Sequence, residues 1–89
     1  MNERDRKLAI ALEYDRGSRK APRVTAKGYG LVAERILAVA EEHGIVIKTD
    51  PALAQALSGV SLDEEIPTEL FEAVAEVIGF VLRARSRLD

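Results

Sequence analysis

The sequence predicts a single α/β domain, in which a small mixed sheet of about three strands packs with three to four helices. Its 89 residues suffice for one domain, and 47% hydrophobic with 31% charged residues is typical of a soluble globular protein. Apolar residues alternate near the N-terminus, which indicates a strand, and recur at helical spacing in later segments. We expect a flexible segment at 1–7, the folded domain at 8–86 and a tail at 87–89.

Two strands are predicted to form a hairpin before residue 30. Across residues 8–14, large side chains alternate with small or polar ones. Turn-forming residues follow, and residues 22–27 form a second short strand that begins at a proline, where a missing N–H does no harm. Residues 45–47 are short and β-branched, so we expect them to be a third strand, reached through a helix.

Three helices are predicted after the hairpin. The first covers residues 31–43 and ends before Gly44, a residue suited to the left-handed position after a helix. An Asp-Pro pair starts a short second helix over 51–57. The last helix covers 67–86, with acids near its start and arginines near its end, as the helix dipole favours. Its apolar stripe is expected to be core and includes Phe71, Val74, Ile78 and Val81.

The net charge of −2 conceals an uneven distribution. Residues 1–30 carry eight basic and four acidic side chains, whereas residues 31–89 carry five basic and eleven acidic ones. Arg and Lys are mostly surface residues, so the basic hairpin loop is either a solvated loop or a contact for an acidic partner or for nucleic acid. The candidate partner-binding residues are Arg16, Arg19, Lys20, Arg23 and Lys27.

The residue types argue against catalysis and against a bound cofactor. The chain has no cysteine, and its one histidine, His43, is the last residue of the expected first helix, where it would cap the helix or face solvent. A zinc site would need more nitrogen or sulfur ligands than these. The adjacent carboxylates are expected to be solvated charges at helix ends. We therefore expect no catalytic residue, no metal and no cofactor.

Several motifs in order resemble the cytoplasmic domain of the flagellar and type III secretion export-switch proteins, the FlhB/YscU family. They are AIALEYD at 9–15, APRVTAKGYG at 21–30, LAQAL at 53–57 and IPTELFEAVAEVI at 66–78, together with Ala33 and Ile36. The resemblance covers roughly residues 8–82. In that family the domain follows membrane-spanning segments and cleaves itself within an Asn-Pro-Thr-His loop. The matching positions here read Arg4-Asp5-Arg6-Lys7, so we expect no autocleavage.

The resemblance implies a non-catalytic accessory protein of the bacterial flagellar or type III export apparatus. It would resemble the autocleaved C-terminal fragment of the switch protein, made as a separate cytoplasmic chain at the periphery of the export gate, and act in substrate recognition or specificity switching. The expected partners are the N-terminal portion of a switch protein and exported substrate proteins, without nucleic acid and without membrane insertion. The alternative is a small nucleic-acid or anionic-ligand binding module that uses the basic hairpin.

Overall fold

The computed structural model describes residues 7–15 and 17–88, of which residues 87 and 88 are described by their backbone alone. The elements in chain order are β1 (Leu8–Glu13), β2 (Arg23–Tyr29), α1 (Leu31–Glu42), α2 (Pro51–Leu57), a 3-10 turn (Thr68–Leu70) and α3 (Phe71–Leu88). The predicted α/β class is confirmed. No helix in this part of the chain is long and apolar enough to cross a membrane. The predicted flexible segment 1–7, apart from Lys7, lies outside the described residues.

The two strands form an antiparallel hairpin whose outer edges differ. Leu8 lies opposite Tyr29, and an extra residue in β2, Thr25, shifts the register so that Leu12 lies opposite Val24. The segment 63–66 covers the outer edge of β2. The Asp63 N–H donates to the Val24 carbonyl (2.7 Å), the Val24 N–H donates to the Glu64 carbonyl (3.1 Å), and the Ile66 N–H donates to the Pro22 carbonyl (2.9 Å).

Helices cover both faces of the hairpin. Ala9 lies opposite Gly28 on one face, and α1 packs there through Val32 and the fully buried Ala33. Leu12, three residues after Ala9, points to the opposite face, and Val24 shares that face because the extra residue Thr25 places it opposite Leu12. The hydrophobic core lies on that face and consists of Val24, Leu53, Leu57, Ile66 and Val74, with Ile10 and Leu12 packed against it.

The helix starts and ends follow from local sequence. The Asp50 carboxylate accepts a hydrogen bond from the Leu53 N–H (3.1 Å), and Pro51 occupies the first turn of α2. Gly44 has φ 65° after the end of α1, and the Nδ1 of His43 donates to the Val39 carbonyl (2.9 Å). These contacts confirm the predicted caps.

The predicted third strand at residues 45–47 is wrong, and so is the mixed sheet. The sheet has two antiparallel strands within the described residues, and residues 45–47 belong to no strand. Ile45 is 60% exposed, and neither Val46 nor Ile47 makes a backbone hydrogen bond in the described part of the chain. A strand needs a hydrogen-bonding neighbour as well as β-branched residues. The edge of β2 is already covered by 63–66, and residues 45–47 make no backbone hydrogen bond to the edge of β1.

The predicted burial of Phe71 in the core is also wrong. The predicted core stripe holds for Val74, which is fully buried, and in part for Ile78 and Val81, which are half-buried. Phe71 is instead 44% exposed. It is the first residue of α3, one turn before the buried Val74, so the apolar stripe is not buried along its whole length.

Gly28 provides a test of the close packing of α1 on the hairpin. A Cβ at this position would lie 2.7 Å from the Val32 Cβ and closer still to its Cγ1. Because the branched Val32 side chain cannot swing away, we expect Gly28→Ala to lower the free energy of unfolding by about 1–3 kcal/mol, measured by urea denaturation. Gly59→Ala is the matched control, since a Cβ there meets nothing within 4 Å. Equal stability of the two variants would contradict the packing.

Candidate protein-binding groove

A groove of about 400 Å³ lies between the hairpin loop and α3. One side is formed by the end of the hairpin loop and the other by the first half of α3. Its lining residues are Tyr14, Arg19, Lys20, Ala21, Pro22, Glu65, Ile66, Phe71, Val74, Ala75 and Ile78. The floor is mainly apolar, and the charged side chains at the groove are two cations and one carboxylate.

Local hydrogen bonds hold the loop that carries the two cations. The Asp15 carboxylate accepts from the Gly17 N–H (3.0 Å), and the Asp15 carbonyl accepts from the Ser18 N–H (3.1 Å). The Ser18 hydroxyl accepts from the Lys20 N–H (3.1 Å). These short-range bonds are typical of turns built on Asp and Ser. They fix the backbone of the loop that carries Arg19 and Lys20 to the groove.

A longer-range bond ties this loop to the segment before α3. The Glu65 carboxylate accepts a hydrogen bond from the Ala21 N–H (3.1 Å). On the other side, Phe71, Ala75 and Ile78 follow the i, i+4, i+7 spacing of one helix face. The buried Val74 lies at the base between the two sides.

The five predicted binding residues do not form one cluster. Arg19 and Lys20 line the groove, and both are exposed. Arg23 instead donates to the Glu13 carboxylate at 2.6 Å. This hydrogen bond and the charge of Glu13 raise the pKa of the Arg23 guanidinium, and the charges of Asp63 and Glu65 add to the effect. Arg16 lies outside the described residues.

Lys27 has contacts within the protein. Its Nζ donates to the carbonyls of Ser58 (3.0 Å) and Val60 (2.7 Å), and its side chain is half-buried. Those carbonyls follow the end of α2, where a helix leaves acceptors without intrahelical donors. The basic stretch therefore divides into Arg19 and Lys20 at the groove and Arg23 and Lys27 in internal contacts.

Sequence reasoning missed the apolar side of the groove. Tyr14 was expected to continue β1, which ends at Glu13, and Phe71 was expected in the core. Both are more than 40% exposed and face the groove. The available signal was the position of each residue at the end of its element, where an apolar side chain no longer faces the packed layer.

The outer edge of β1 is a second feature suited to binding. The Lys7 carbonyl accepts from the Gly30 N–H (2.8 Å), so alternate residues from Lys7 direct their backbone groups toward β2. Leu8 and Ile10 therefore direct their backbone groups away from β2. Leu12 does the same, since it lies opposite Val24, whose backbone groups point away from β1 toward residues 63 and 64. No described residue pairs with this edge.

Among the described residues, no three His, Asp or Glu side chains converge on a metal position.

Comparison with known proteins gives a family and a set of relatives. Residues 6–81 match the model of the FlhB HrpN YscU SpaS family. The chain is 40% identical over 75 residues to the uncharacterized protein YlqH of Bacillus subtilis, covering 84% of this chain and 81% of that protein. It is 39% identical over 82 residues to the flagellar biosynthetic protein FlhB of Aquifex aeolicus, covering 91% of this chain but 23% of that protein.

Solved structures have the same fold. The cytoplasmic domain of FlhB from Shewanella putrefaciens is 43% identical and superposes with a TM-score of 0.79, over 84% of this chain and 61% of that one. The PscU C-terminal domain is 38% identical with a TM-score of 0.77, over 82% and 94% of the two chains.

Lys27 offers a test that separates structural from binding cations. Lys27→Met keeps the aliphatic stem but leaves the Ser58 and Val60 carbonyls without their donor. We expect a loss of about 1–3 kcal/mol in the free energy of unfolding. Lys20→Met removes an exposed charge and should change stability by less than about 0.5 kcal/mol. Thermal and urea denaturation measure both, and equal losses would contradict the division.

Proposed function

We propose that this chain, which belongs to the FlhB HrpN YscU SpaS family, is a non-catalytic protein-binding component of bacterial flagellar or type III export that recognises exported proteins. The observation that carries the proposal is the groove between the hairpin loop and α3, with its apolar floor and the cations Arg19 and Lys20. Matched relatives are named as flagellar biosynthetic proteins, although the chain spans less than a quarter of their length. In this proposal the domain acts in the cytoplasm, beside the export gate.

The chemistry of the groove favours a short segment that combines an apolar side chain with a carboxylate. Burial of one large apolar side chain against Phe71 and Ile78 is worth about 1.5–3 kcal/mol. An exposed ion pair with Arg19 or Lys20 adds about 0.2–1 kcal/mol and contributes more to orientation and encounter rate. One such segment therefore binds weakly. Weak binding suits a component that must release each exported protein.

The residues at the groove support a role without catalysis. Its lining contains no Ser, Cys or His that could act as a nucleophile or as a general base near neutral pH. The sequence Arg4-Asp5-Arg6-Lys7 replaces the Asn-Pro-Thr-His loop expected for self-cleavage. The proposed contribution to export is therefore binding.

The internal contacts of Arg23 and Lys27 favour a protein ligand over nucleic acid. Nucleic-acid affinity comes largely from several cations that neutralise phosphates together. Of the four described cations in the basic stretch, two are engaged with Glu13 and with backbone carbonyls. The remaining pair adjoins an apolar floor, which suits a protein segment better than a phosphate backbone.

Two groove variants test the proposal against one control. Arg19→Glu with Lys20→Glu reverses the rim charge, and Ala75→Glu places a charge on the exposed wall of α3. Each should weaken retention of exported flagellar proteins on the immobilised chain about tenfold or more, which corresponds to about 1.4 kcal/mol. Ala56→Glu, on the exposed side of α2 and away from the groove, should bind as the unaltered chain does, and circular dichroism should be unchanged in all.

Equal binding by the groove variants and the control would refute the proposal. Binding of a DNA duplex that falls steeply with salt, and that is lost in the charge-reversed variant but kept in Ala75→Glu, would support the nucleic-acid alternative instead.

The outer edge of β1, with which no described residue pairs, favours a second role, docking on the N-terminal portion of a switch protein. The outward N–H and C=O groups of Leu8, Ile10 and Leu12 form a template for an added strand. The five residues from Leu8 to Leu12 carry no charge that would repel one. A two-stranded sheet is also marginal by itself, so an added strand would stabilise the hairpin.

Leu8→Pro tests this docking. Proline removes an N–H that points away from β2, so the hairpin ladder is retained while the pairing with an added strand is lost. We expect about tenfold weaker binding to the N-terminal portion of a switch protein by calorimetry, whereas Leu8→Val, which keeps the N–H, should bind normally. Retention of exported proteins in the groove serves as the folding control. Full binding by Leu8→Pro would exclude strand addition at this edge.

A further inference from the structure

We propose that a second copy of this chain occupies the groove when no exported protein does, by inserting the turn at residues 62–64. The chemistry of this turn matches that of the groove, because an exposed leucine is followed by two carboxylates. The inference rests on the groove of the proposed function but not on the identity of its export ligand.

The turn is exposed and already ordered. Leu62 is 53% exposed, and Asp63 has φ 66°, the left-handed conformation that few residues other than glycine adopt. The bonds of Asp63 and Glu64 to the backbone of Val24 hold the turn, together with a bond from the Glu64 N–H to the Ser61 carbonyl (3.2 Å). Because the backbone is fixed before association, little conformational entropy is lost on binding.

The charges of the turn and of the groove are complementary. Arg19 and Lys20 have no carboxylate partner among the described residues, and Glu64 has no cationic partner among them. Asp63 lies close enough to Arg23 to affect its pKa, so its charge is partly balanced within the chain. We therefore expect Glu64 to contribute most to the ion pairing while Leu62 enters the apolar floor beside Phe71.

The position of the turn allows a closed dimer. Residues 62–64 directly precede Glu65 and Ile66, which line the groove. Under a two-fold axis, the turn of each copy therefore approaches the groove of the other, and the two contacts close on themselves instead of extending into a chain. The contact is small, so we expect a weak dimer that exported proteins displace by competing for the same groove.

Charge exchange between two variants tests the pairing. Arg19→Glu with Lys20→Glu reverses the groove, and Asp63→Asn with Glu64→Lys reverses the turn, since asparagine tolerates the left-handed conformation. In sedimentation equilibrium at concentrations up to about 1 mM, a range that detects association of about 4 kcal/mol, each variant alone should dimerise at least tenfold more weakly than the unaltered chain. An equimolar mixture should recover dimerisation to within about threefold, because both contacts become complementary again.

The matched control is Glu76→Lys, an exposed charge change on α3 away from the groove lining, which should dimerise normally. A monomeric unaltered chain, persistent dimers in the single variants, or a mixture that fails to associate would each overturn the inference. Retention of exported proteins by the turn variant, measured separately, should match or exceed that of the unaltered chain. Failure of self-association therefore remains distinguishable from failure of the proposed function.

Discussion

The hydrogen bonds between Val24 and residues 63 and 64 are the interaction on which the rest of the structure depends. They join the outer edge of β2 to the segment that leads into α3, while the Val24 side chain fills the core against Ile66 and Val74. The segment is thereby fixed beside the hairpin loop, and the Glu65 carboxylate can reach the Ala21 N–H. The groove exists because this segment and the loop are held together before α3 begins.

The four described cations of the basic stretch differ in whether other groups of the chain bind them. Lys27 and Arg23 lie on β2, where carbonyls after α2 and carboxylates of neighbouring segments are within reach. Arg19 and Lys20 lie on the loop between β1 and β2. Short-range hydrogen bonds hold the backbone of this loop and leave the two side chains exposed. A charge already engaged within the fold contributes stability, whereas a charge beside an apolar groove can select a ligand.

The two edges of the hairpin also differ in whether the domain covers them. The edge of β2 is covered within the domain, while the outward groups of Leu8, Ile10 and Leu12 have no described partner. In the proposed function, this edge and the groove are two separate binding surfaces, one for a strand of the export apparatus and one for an exported protein or a second copy. Because they depend on different residues, either can be altered while the other serves as a measure of correct folding.

The sequence by itself determined the elements that depend on near neighbours. The alternation in β1, the Asp50 cap, Gly44 and the apolar stripe of α3 predicted the hairpin and all three helices, and the ordered motifs predicted the family. Only the tertiary structure decided that residues 45–47 form no strand, that Phe71 faces a groove and that Lys27 bonds within the protein. Capping and periodicity act within a few residues, whereas strand pairing, the exposure of a helix end and the partner of a long cation depend on segments distant in the chain.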